Sequence, residues 1–221
     1  MNSLGLNKKP SNTRVVVAMS GGVDSSVVAA HLKREGYEVI GITMQLYAND
    51  SLPVKPGKCC GGVDIRDAIK ISRDFDFPHY VFDYQKEFKI GVVDNFTESY
   101  TNGLTPIPCI KCNETVKFSN LLNAAKNLNA DCLVTGHYVR RKKGNKGVEL
   151  HKAIDELKDQ SYFLFSTTPK QLEYLRFPLG EMNSKSETRL MAKEMGLKIA
   201  EKPDSQDICF VASGKYFDFI E

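Results

Sequence analysis

The chain has 221 residues, of which 42% are hydrophobic and 26% are charged, and its formal net charge is +3. This composition is typical of a soluble globular protein with one sizeable core. No apolar run approaches the roughly 20 residues of a membrane span, and the polar residues 1–12 lack the apolar centre of a secretory signal, so we expect a cytoplasmic protein without a membrane partner.

Between residues 15 and 136, apolar runs typical of strands alternate with amphipathic patterns typical of helices. The predicted elements are a strand at 15–19, a helix to about 35, a strand at 38–44, a helix capped by Asp64, a strand at 79–83, a helix with Phe88, Val92 and Phe96, a helix with buried residues at 118–128 and a strand at 132–136. Loops are predicted at 46–62 and 102–112. The order predicts an α/β fold, a Rossmann-like parallel sheet with helices on both faces.

The pattern changes beyond residue 136. A β-hairpin is predicted at 138–155, turning at 144–147, and a helix at 158–165. A further helix is predicted to begin at Ser184 or Ser186 and to end at Gly196.

The most informative stretch is S-G-G-V-D-S at 20–25, between the first predicted strand and the first predicted helix. The unpaired N–H groups and the dipole of a helix N-terminus suit an anion. Gly21 and Gly22 would let a phosphate approach the main chain, while Asp24 is suited to cap the helix or to hold a Mg²⁺. No lysine ends this loop and its glycines are adjacent, which excludes a Walker A loop and a G-x-G-x-x-G dinucleotide loop.

Ligands of parallel sheets bind beyond the carboxyl ends of the strands. This rule predicts that residues 20–25 meet Met44, the 106–112 loop and the Gly136-His137 pair on one rim of the molecule.

Basic residues concentrate in the run Arg140-Arg141-Lys142-Lys143, with Lys146 close behind. Such a run suits phosphate groups, although a solvated hairpin tip explains it equally well.

Six cysteines in a chain expected in a reducing compartment indicate reactive or metal-binding thiols rather than structural disulfides. Cys132 is the exception, because its apolar surroundings in the sequence predict a small core residue.

Five stretches together resemble the tRNA-specific 2-thiouridylase family. They are A-M-S-G-G-V-D-S at 18–25, T-P-I-P-C-I-K-C-N-E-T-V-K-F at 105–118, T-G-H-Y-V-R-R at 135–141, K-D-Q-S-Y-F at 158–163 and S-Q-D-I-C-F at 205–210. The first resembles the pyrophosphate loop (PP-loop) of ATP pyrophosphatases, and the other four set this family apart from others of that class. The resemblance covers nearly the whole chain and implies an adenine nucleotide alpha hydrolase-like fold.

The resemblance also implies which residues form the site. ATP, with Mg²⁺, would bind at Ala18, Met19, Ser20, Gly21, Gly22, Val23, Asp24, Ser25, Met44 and Gly136. Cys209 would carry a persulfide and Cys112 would be the nucleophile. Contacts to tRNA would come from His137, Lys158, Asp159, Gln160, Arg140 and Arg141.

By the same resemblance the protein is a sulfurtransferase. It would adenylate C2 of the wobble uridine, position 34, in tRNAs for lysine, glutamate and glutamine, releasing PPi, and then replace the oxygen with sulfur, releasing AMP. The sulfur would come from a persulfide-donating protein of a cysteine desulfurase pathway. Either Cys112 attacks the persulfide of Cys209 to release hydrosulfide, or the persulfide attacks C2 directly and Cys112 resolves the product; both leave a Cys112–Cys209 disulfide.

One departure from the family leaves the chemistry of a cysteine open. Many members carry Asp where this chain has Cys109, and that Asp is credited with acid–base work. The C-x-x-C pair Cys109 and Cys112 also suggests a metal. Zinc would need two further ligands, which adjacent Cys59 and Cys60 supply awkwardly, and an iron–sulfur cluster on Cys109, Cys112 and Cys209 is the other alternative. We assign no metal-ligating residues to the predicted site.

A second departure is length, because family members continue well beyond the point where this chain ends, at Glu221. We therefore expect residues 12–205 to form the ATP pyrophosphatase and thiolation domain, and residues 206–221 to start a tRNA-binding central domain. The chain as written is expected to keep the ATP site and both thiols but to bind tRNA poorly.

Two other functions stay open on the sequence. A different ATP pyrophosphatase, such as an amidating ligase, would explain residues 20–25 but not Cys112 and Cys209. A non-catalytic persulfide or iron–sulfur carrier would use the thiols but would not need a nucleotide loop.

Overall fold

A parallel sheet forms the centre of the computed structural model, which describes residues 1–47, 62–204 and 208–211. Five strands lie in the order β3-β2-β1-β4-β7, and β5 and β6 form a separate antiparallel hairpin. The strands are β1 Arg14–Ala18, β2 Glu38–Gln45, β3 His79–Asp83, β4 Cys132–Val134, β5 Val139–Gly144, β6 Gly147–Lys152 and β7 Leu175–Arg176. This architecture confirms the predicted α/β fold.

Helices cover both faces of the sheet. The helices are α1 Val23–Arg34, α2 Gly62–Asp74, α3 at 85–101, α4 at 108–127, α5 Pro169–Tyr174 and α6 Lys185–Glu194. Both α3 and α4 are continuous stretches with a π-helical middle, at Lys89–Val93 and Cys112–Leu121 respectively. None of the helices within the described ranges is both long and apolar enough to cross a membrane.

The alternation of β1 explains the two cores. Val15 and Val17 pack with α1, α2 and α6, whereas Val16 packs with α3 and α4. Successive side chains of a strand point to opposite faces, so a central strand covered by helices on both sides needs an unbroken apolar run. The sequence at 15–17 supplies that run.

β1 and β4 are neighbouring parallel strands, and the strand order reverses between them. Connections on the two sides of such a reversal leave in opposite directions and open a crevice at the carboxyl ends of the strands. Two segments lie at this crevice: residues 20–25 after β1, which we call the glycine turn, and Gly136 after β4.

Several predicted boundaries are wrong for identifiable reasons. Asp64 does not cap α2 but lies inside its first turn. The predicted 102–112 loop ends early, because Pro108 begins α4 at a position where its missing N–H costs nothing. Residues 158–165 form only a 3₁₀ turn at Ser161–Leu164. The elements α5 and β7 were not predicted, since β7 has two residues and no readable alternation.

Other boundaries were predicted correctly. Ser184 caps α6 by accepting the N–H of Glu187, and Gly196 follows the helix with a φ of 73°. The hairpin turns at Asn145-Lys146 as predicted. Cys132 is fully buried in β4, which confirms it as a core residue.

Substitution of Cys132 tests this structural role. We expect Cys132→Ser to lower the free energy of unfolding by about 1–3 kcal/mol, because a hydroxyl would be buried, and Cys132→Ala to lower it by about 1 kcal/mol. Burial raises the pKa of Cys132 to about 12, whereas an unfolded thiol titrates near about 8.5. The stability of the wild type should therefore fall as the pH rises past the pKa of the unfolded thiol. The stability of Cys132→Ala should fall less over the same range. Urea unfolding from about pH 7 to about pH 10, on both sides of the unfolded pKa, measures both effects, and an identical pH dependence in the two proteins would contradict the assignment.

Candidate active site at the carboxyl ends of the strands

The glycine turn is enclosed by two other segments of backbone. Gly21 has a φ of 72°, and a Cβ there would collide with the main chain of Asp64. A Cβ on Gly136 would lie 2.8 Å from the amide nitrogen of Ser25. Both glycines are therefore required by close packing, at Gly21 also by backbone conformation.

Gly22 differs from these two glycines. Its φ of −87° suits any residue, and among the residues that the structure describes a Cβ there would approach only Ser20 Oγ, at 3.5 Å. The fold itself does not need a glycine at this position, so its small size leaves space beside the loop.

Gly22, not Asp24, is the N-cap of α1, and it makes no side-chain capping bond. The suggested capping role of Asp24 is therefore wrong. The turn is instead closed by Ser25, whose Oγ accepts the N–H of Ser20 at 3.1 Å and lies 3.3 Å from the Ser20 hydroxyl. The first-turn N–H groups of α1 have no partners within the helix and face out of its N-terminus.

Asp24 is held by two side chains that the sequence did not single out. The Tyr138 hydroxyl donates to Asp24 Oδ1 at 3.0 Å, and Lys185 forms an ion pair with the same oxygen. Tyr138 is buried, and burial and the charge of Asp24 together raise its pKa. The phenol thus remains a hydrogen-bond donor at physiological pH.

Asp204 is the centre of a second charged cluster. Its carboxylate accepts from Lys158 at 3.2 Å, Lys185 at 3.2 Å and Arg189 at 3.0 Å. Burial alone would raise the pKa of Asp204, but Lys185 and Lys158 lower it below its ordinary value. Lys185 bridges Asp24 and Asp204, so the glycine turn is connected to the segment that leads toward Cys209.

The predicted thiols differ in exposure. Cys109 lies exposed in the first turn of α4, and Cys112 is buried one turn further on, inside the helix rather than before it. The helix dipole, strongest in the first turn, therefore acts more on Cys109 than on Cys112. Cys209 is half-buried and packs against the same apolar cluster that contains Cys112.

Phe210 fixes the residues around Cys209 to α3. Its ring makes edge contacts with Phe88 and Phe96, at centroid distances of 5.6 and 5.2 Å. The cluster that these rings share with Cys112 brings residues 208–211 and α4 to the same face of the sheet.

A chain of hydrogen bonds links α4 to the glycine turn. Buried Asn113, next to Cys112, donates to the carbonyl of Phe163 at 3.0 Å. In the same turn, Gln160 accepts the N–H of Tyr138 and donates its own N–H to the Tyr138 carbonyl. Tyr138 in turn bonds Asp24.

Several residues predicted to contact tRNA have partners within the protein. His137 bonds Thr135 Oγ1 at 2.8 Å, and burial lowers its pKa to about 3, so the ring is neutral. The Asp159 carboxylate accepts from Ala153 N–H and from the Ser161 hydroxyl.

The basic run divides into two pairs. Arg140 donates to the Lys152 carbonyl and Arg141 to the Leu172 carbonyl. Lys142 and Lys143 are exposed on the hairpin. Their ammonium groups are therefore open to a large partner, as is that of Lys146, which is also exposed.

Three other predicted residues lie at or near the carboxyl ends of β1 and β2. Met19 and Met44 are buried, and Ala18 is half-buried at the end of β1. Cys59, Cys60 and the first three residues of the S-Q-D-I-C-F motif lie outside the described residues.

No cluster of three or more His, Cys, Asp or Glu side chains in the described ranges is arranged to hold a metal ion. The three thiols suggested for an iron–sulfur cluster therefore do not form a ligand set within those ranges.

The chain matches the family model described as the tRNA methyl transferase HUP domain over residues 13–213. The chain belongs to this family. Among curated relatives, tRNA-specific 2-thiouridylase MnmA of Roseobacter denitrificans is 60% identical over 220 residues, and the protein of the same name from Ruegeria pomeroyi is 60% identical over 221 residues. Both alignments span 100% of this chain but 58% and 59% of the relatives. They confirm the resemblance carried by the five motifs.

The fold also matches a solved structure. The NMN synthetase from Francisella tularensis aligns with a TM-score of 0.51 at 18% identity, covering 87% of this chain and 66% of that one. At this identity the match shows a common fold alone.

Gly136→Ala tests the enclosure of the glycine turn. The added methyl must push on the first turn of α1, so we expect a loss of about 1–3 kcal/mol of stability, seen as a fall of several degrees in the thermal midpoint. Gly22→Ala is the matched control, because its methyl makes only an ordinary contact with Ser20 Oγ at 3.5 Å, and its midpoint should fall by much less than that of Gly136→Ala. Equal midpoints for the two variants would contradict the close packing at Gly136.

Proposed function

We propose that the protein to which this chain belongs is an ATP-dependent sulfurtransferase that converts C2 of the wobble uridine of tRNA, position 34, to a thiocarbonyl. The observation that supports this most is a combination: a phosphate-type glycine turn at the sheet crevice, and Cys112 and Cys209 against one apolar cluster. Relatives that are 60% identical are named 2-thiouridylases.

ATP would bind at the crevice with its phosphates at the start of α1. The small Gly22, whose Cβ would meet Ser20 Oγ alone among the described residues, and the outward N–H groups of the first turn suit a pyrophosphate. Met44 and Gly136 would lie under the nucleotide, as the family resemblance implies. A Mg²⁺ ion commonly binds one or two carboxylates and the substrate phosphates, and Asp24 is the carboxylate of the turn. When bound, the ion would neutralise the charge that develops on the departing PPi.

The first step would make a poor electrophile reactive. The uridine O2 attacks the α-phosphorus of ATP, the bond to the β-phosphate oxygen breaks, and N3 loses its proton. The O2–phosphorus bond converts the carbonyl oxygen into part of a leaving group, AMP. The chain supplies positioning, through the turn at 20–25 and the fixed carboxylate of Asp24.

The second step would transfer the sulfur. In one route, the Cys112 thiolate attacks Cys209 Sγ of the persulfide, the S–S bond breaks, and hydrosulfide leaves to displace AMP from C2. In the other, the terminal persulfide sulfur displaces AMP, and Cys112 then attacks Cys209 Sγ to free the thiouridine. Both routes oxidise the two cysteines to a disulfide, which an external thiol reductant must reduce before the next turnover. A persulfide-donating protein of a cysteine desulfurase pathway would reload Cys209.

The tRNA would approach over the hairpin. Lys142 and Lys143 are exposed there, and phosphate contacts supply most of the non-specific affinity of such complexes. The target base must be turned out of the anticodon loop to reach the crevice. Substrates would be the tRNAs for lysine, glutamate and glutamine.

Thiolation of wobble-uridine tRNA tests the proposed reaction. With the full natural chain, ATP, a persulfide donor and a thiol reductant, we expect sulfur-35 to enter tRNA with the wild type and to stay at background with Cys112→Ser or Cys209→Ser. Cys132→Ala is the matched control and should retain turnover, since its thiol is buried in the core. Cys109→Asp restores the residue of many family members and should also retain turnover.

Two outcomes would reject this function. Thiolation that persists in Cys112→Ser or Cys209→Ser would remove the thiols from the mechanism. ATP-dependent amidation without sulfur incorporation would assign the glycine turn to an amidating ligase.

The salt dependence of tRNA binding tests the hairpin. The double variant Lys142→Gln/Lys143→Gln should bind tRNA more weakly, and the slope of log affinity against log salt should flatten by about one for each lysine that neutralises a phosphate in the wild type. Lys70→Gln/Lys86→Gln removes the same charge from exposed sites on other elements and should leave the slope unchanged. Equal slopes for both double variants would place the tRNA elsewhere.

A further inference from the structure

Lys202 joins three separate segments through one ammonium group. Its Nζ donates to the Gly21 carbonyl at 2.9 Å, to Asp64 Oδ1 at 2.6 Å and to Asp67 Oδ2 at 2.6 Å. These three bonds match the three hydrogens of a lysine ammonium. The side chain is only 14% exposed. The group is thus saturated by the protein and held rigidly.

The bond to Gly21 fixes the orientation of a peptide group in the glycine turn. A trans peptide is planar, with its C=O and N–H pointing in opposite directions, and the described residues contain no cis peptide. Holding the Gly21 carbonyl on the side of α2 therefore directs the Gly22 N–H to the other side of the turn. Glycine can adopt many backbone conformations. This bond holds Gly21 in one of them, at a φ of 72°.

The same ammonium also balances charge beside the turn. Asp64 is buried at the start of α2, and its main chain touches Gly21. Burial alone would lower the pKa of Lys202, but Asp64 and Asp67 raise it above its ordinary value, so the cation is maintained. Without it, two carboxylates next to the turn would repel an anion.

We propose that Lys202 is a positioning residue for the pyrophosphate part of ATP. It acts through the Gly21 carbonyl and the two aspartates and does not itself contact the phosphates. The inference rests on the proposed function in taking ATP as the ligand of the glycine turn. It adds that the segment leading to Cys209 helps to build the anion site, because Lys202 and Asp204 anchor that segment to residues of the turn.

Binding of inorganic pyrophosphate and of adenosine separates the two halves of the ATP site. By calorimetry on the full natural chain, we expect Lys202→Met to weaken pyrophosphate and MgATP binding by about tenfold or more, the typical effect of losing a charged hydrogen bond. Adenosine binding should be unchanged, and Lys202→Arg should recover most of the pyrophosphate affinity. Lys193→Met is the matched control, since its ion pair with Glu201 lies at the surface with side chains 56% and 80% exposed.

Asp67→Glu distinguishes positioning from direct phosphate contact, and it also decides the matter if Lys202→Met does not fold. This change keeps the charge beside the turn but moves the carboxylate that anchors the Lys202 ammonium. If Lys202 acts by position, the Gly21 carbonyl loses its fixed partner and pyrophosphate binding weakens several-fold, whereas unchanged or tighter binding would overturn the inference.

Two further results separate this inference from the proposed function. Wild-type pyrophosphate affinity in a folded Lys202→Met variant would overturn the inference while leaving thiolation standing. Lys202-dependent pyrophosphate binding without any sulfur transfer to tRNA would support the inference and reject the thiolation reaction alone.

Discussion

The hydrogen bond from the Tyr138 hydroxyl to Asp24 is the contact on which the site depends. It joins the segment after β4 to the first turn of α1, where the strand order reverses. A neutral phenol and the Lys185 ammonium meet on one carboxylate, so the orientation of Asp24 is set by the fold rather than by solvent. Gly136 makes this possible, because any larger residue there would push α1 away from Tyr138.

The charged residues around the crevice are each stabilised by partners of opposite charge. The ammonium of Lys202 is enclosed by carboxylates of α2. The carboxylate of Asp204 is enclosed by cations of α6 and by Lys158. A half-buried charge is tolerated when its partners satisfy it through hydrogen bonds. Because Lys202 and Asp204 lie in one short segment, the two clusters hold that segment against the glycine turn. The approach of the Cys209 region to the crevice is therefore part of the electrostatic balance of the site.

The positions of the Cys112 and Cys209 thiols are set by apolar packing rather than by charge. Cys112 lies in α4 and faces the core, and residues 208–211 reach the same core through Phe210. Apolar burial is not directional, so it can bring together segments far apart in the chain without a specific bond. Asn113 adds the directional element, since its bond to Phe163 ties α4 to the turn that supports Tyr138.

The sequence by itself determined the strand–glycine–helix turn at 20–25, the alternating elements up to residue 136, the β-hairpin and the core position of Cys132, because these depend on local periodicity and on residue type. It did not reveal β7 or the partners of Asp24, although Tyr138 lies within a quoted motif and the Lys202-Pro203-Asp204 stretch directly precedes another. Periodicity reports which face of an element is apolar, but not which distant side chain meets a given carboxylate. Only the tertiary structure decided that Lys185 and Lys202, both late in the chain, close the site around a turn formed at its beginning, since that pairing depends on the three-dimensional path of the backbone between them.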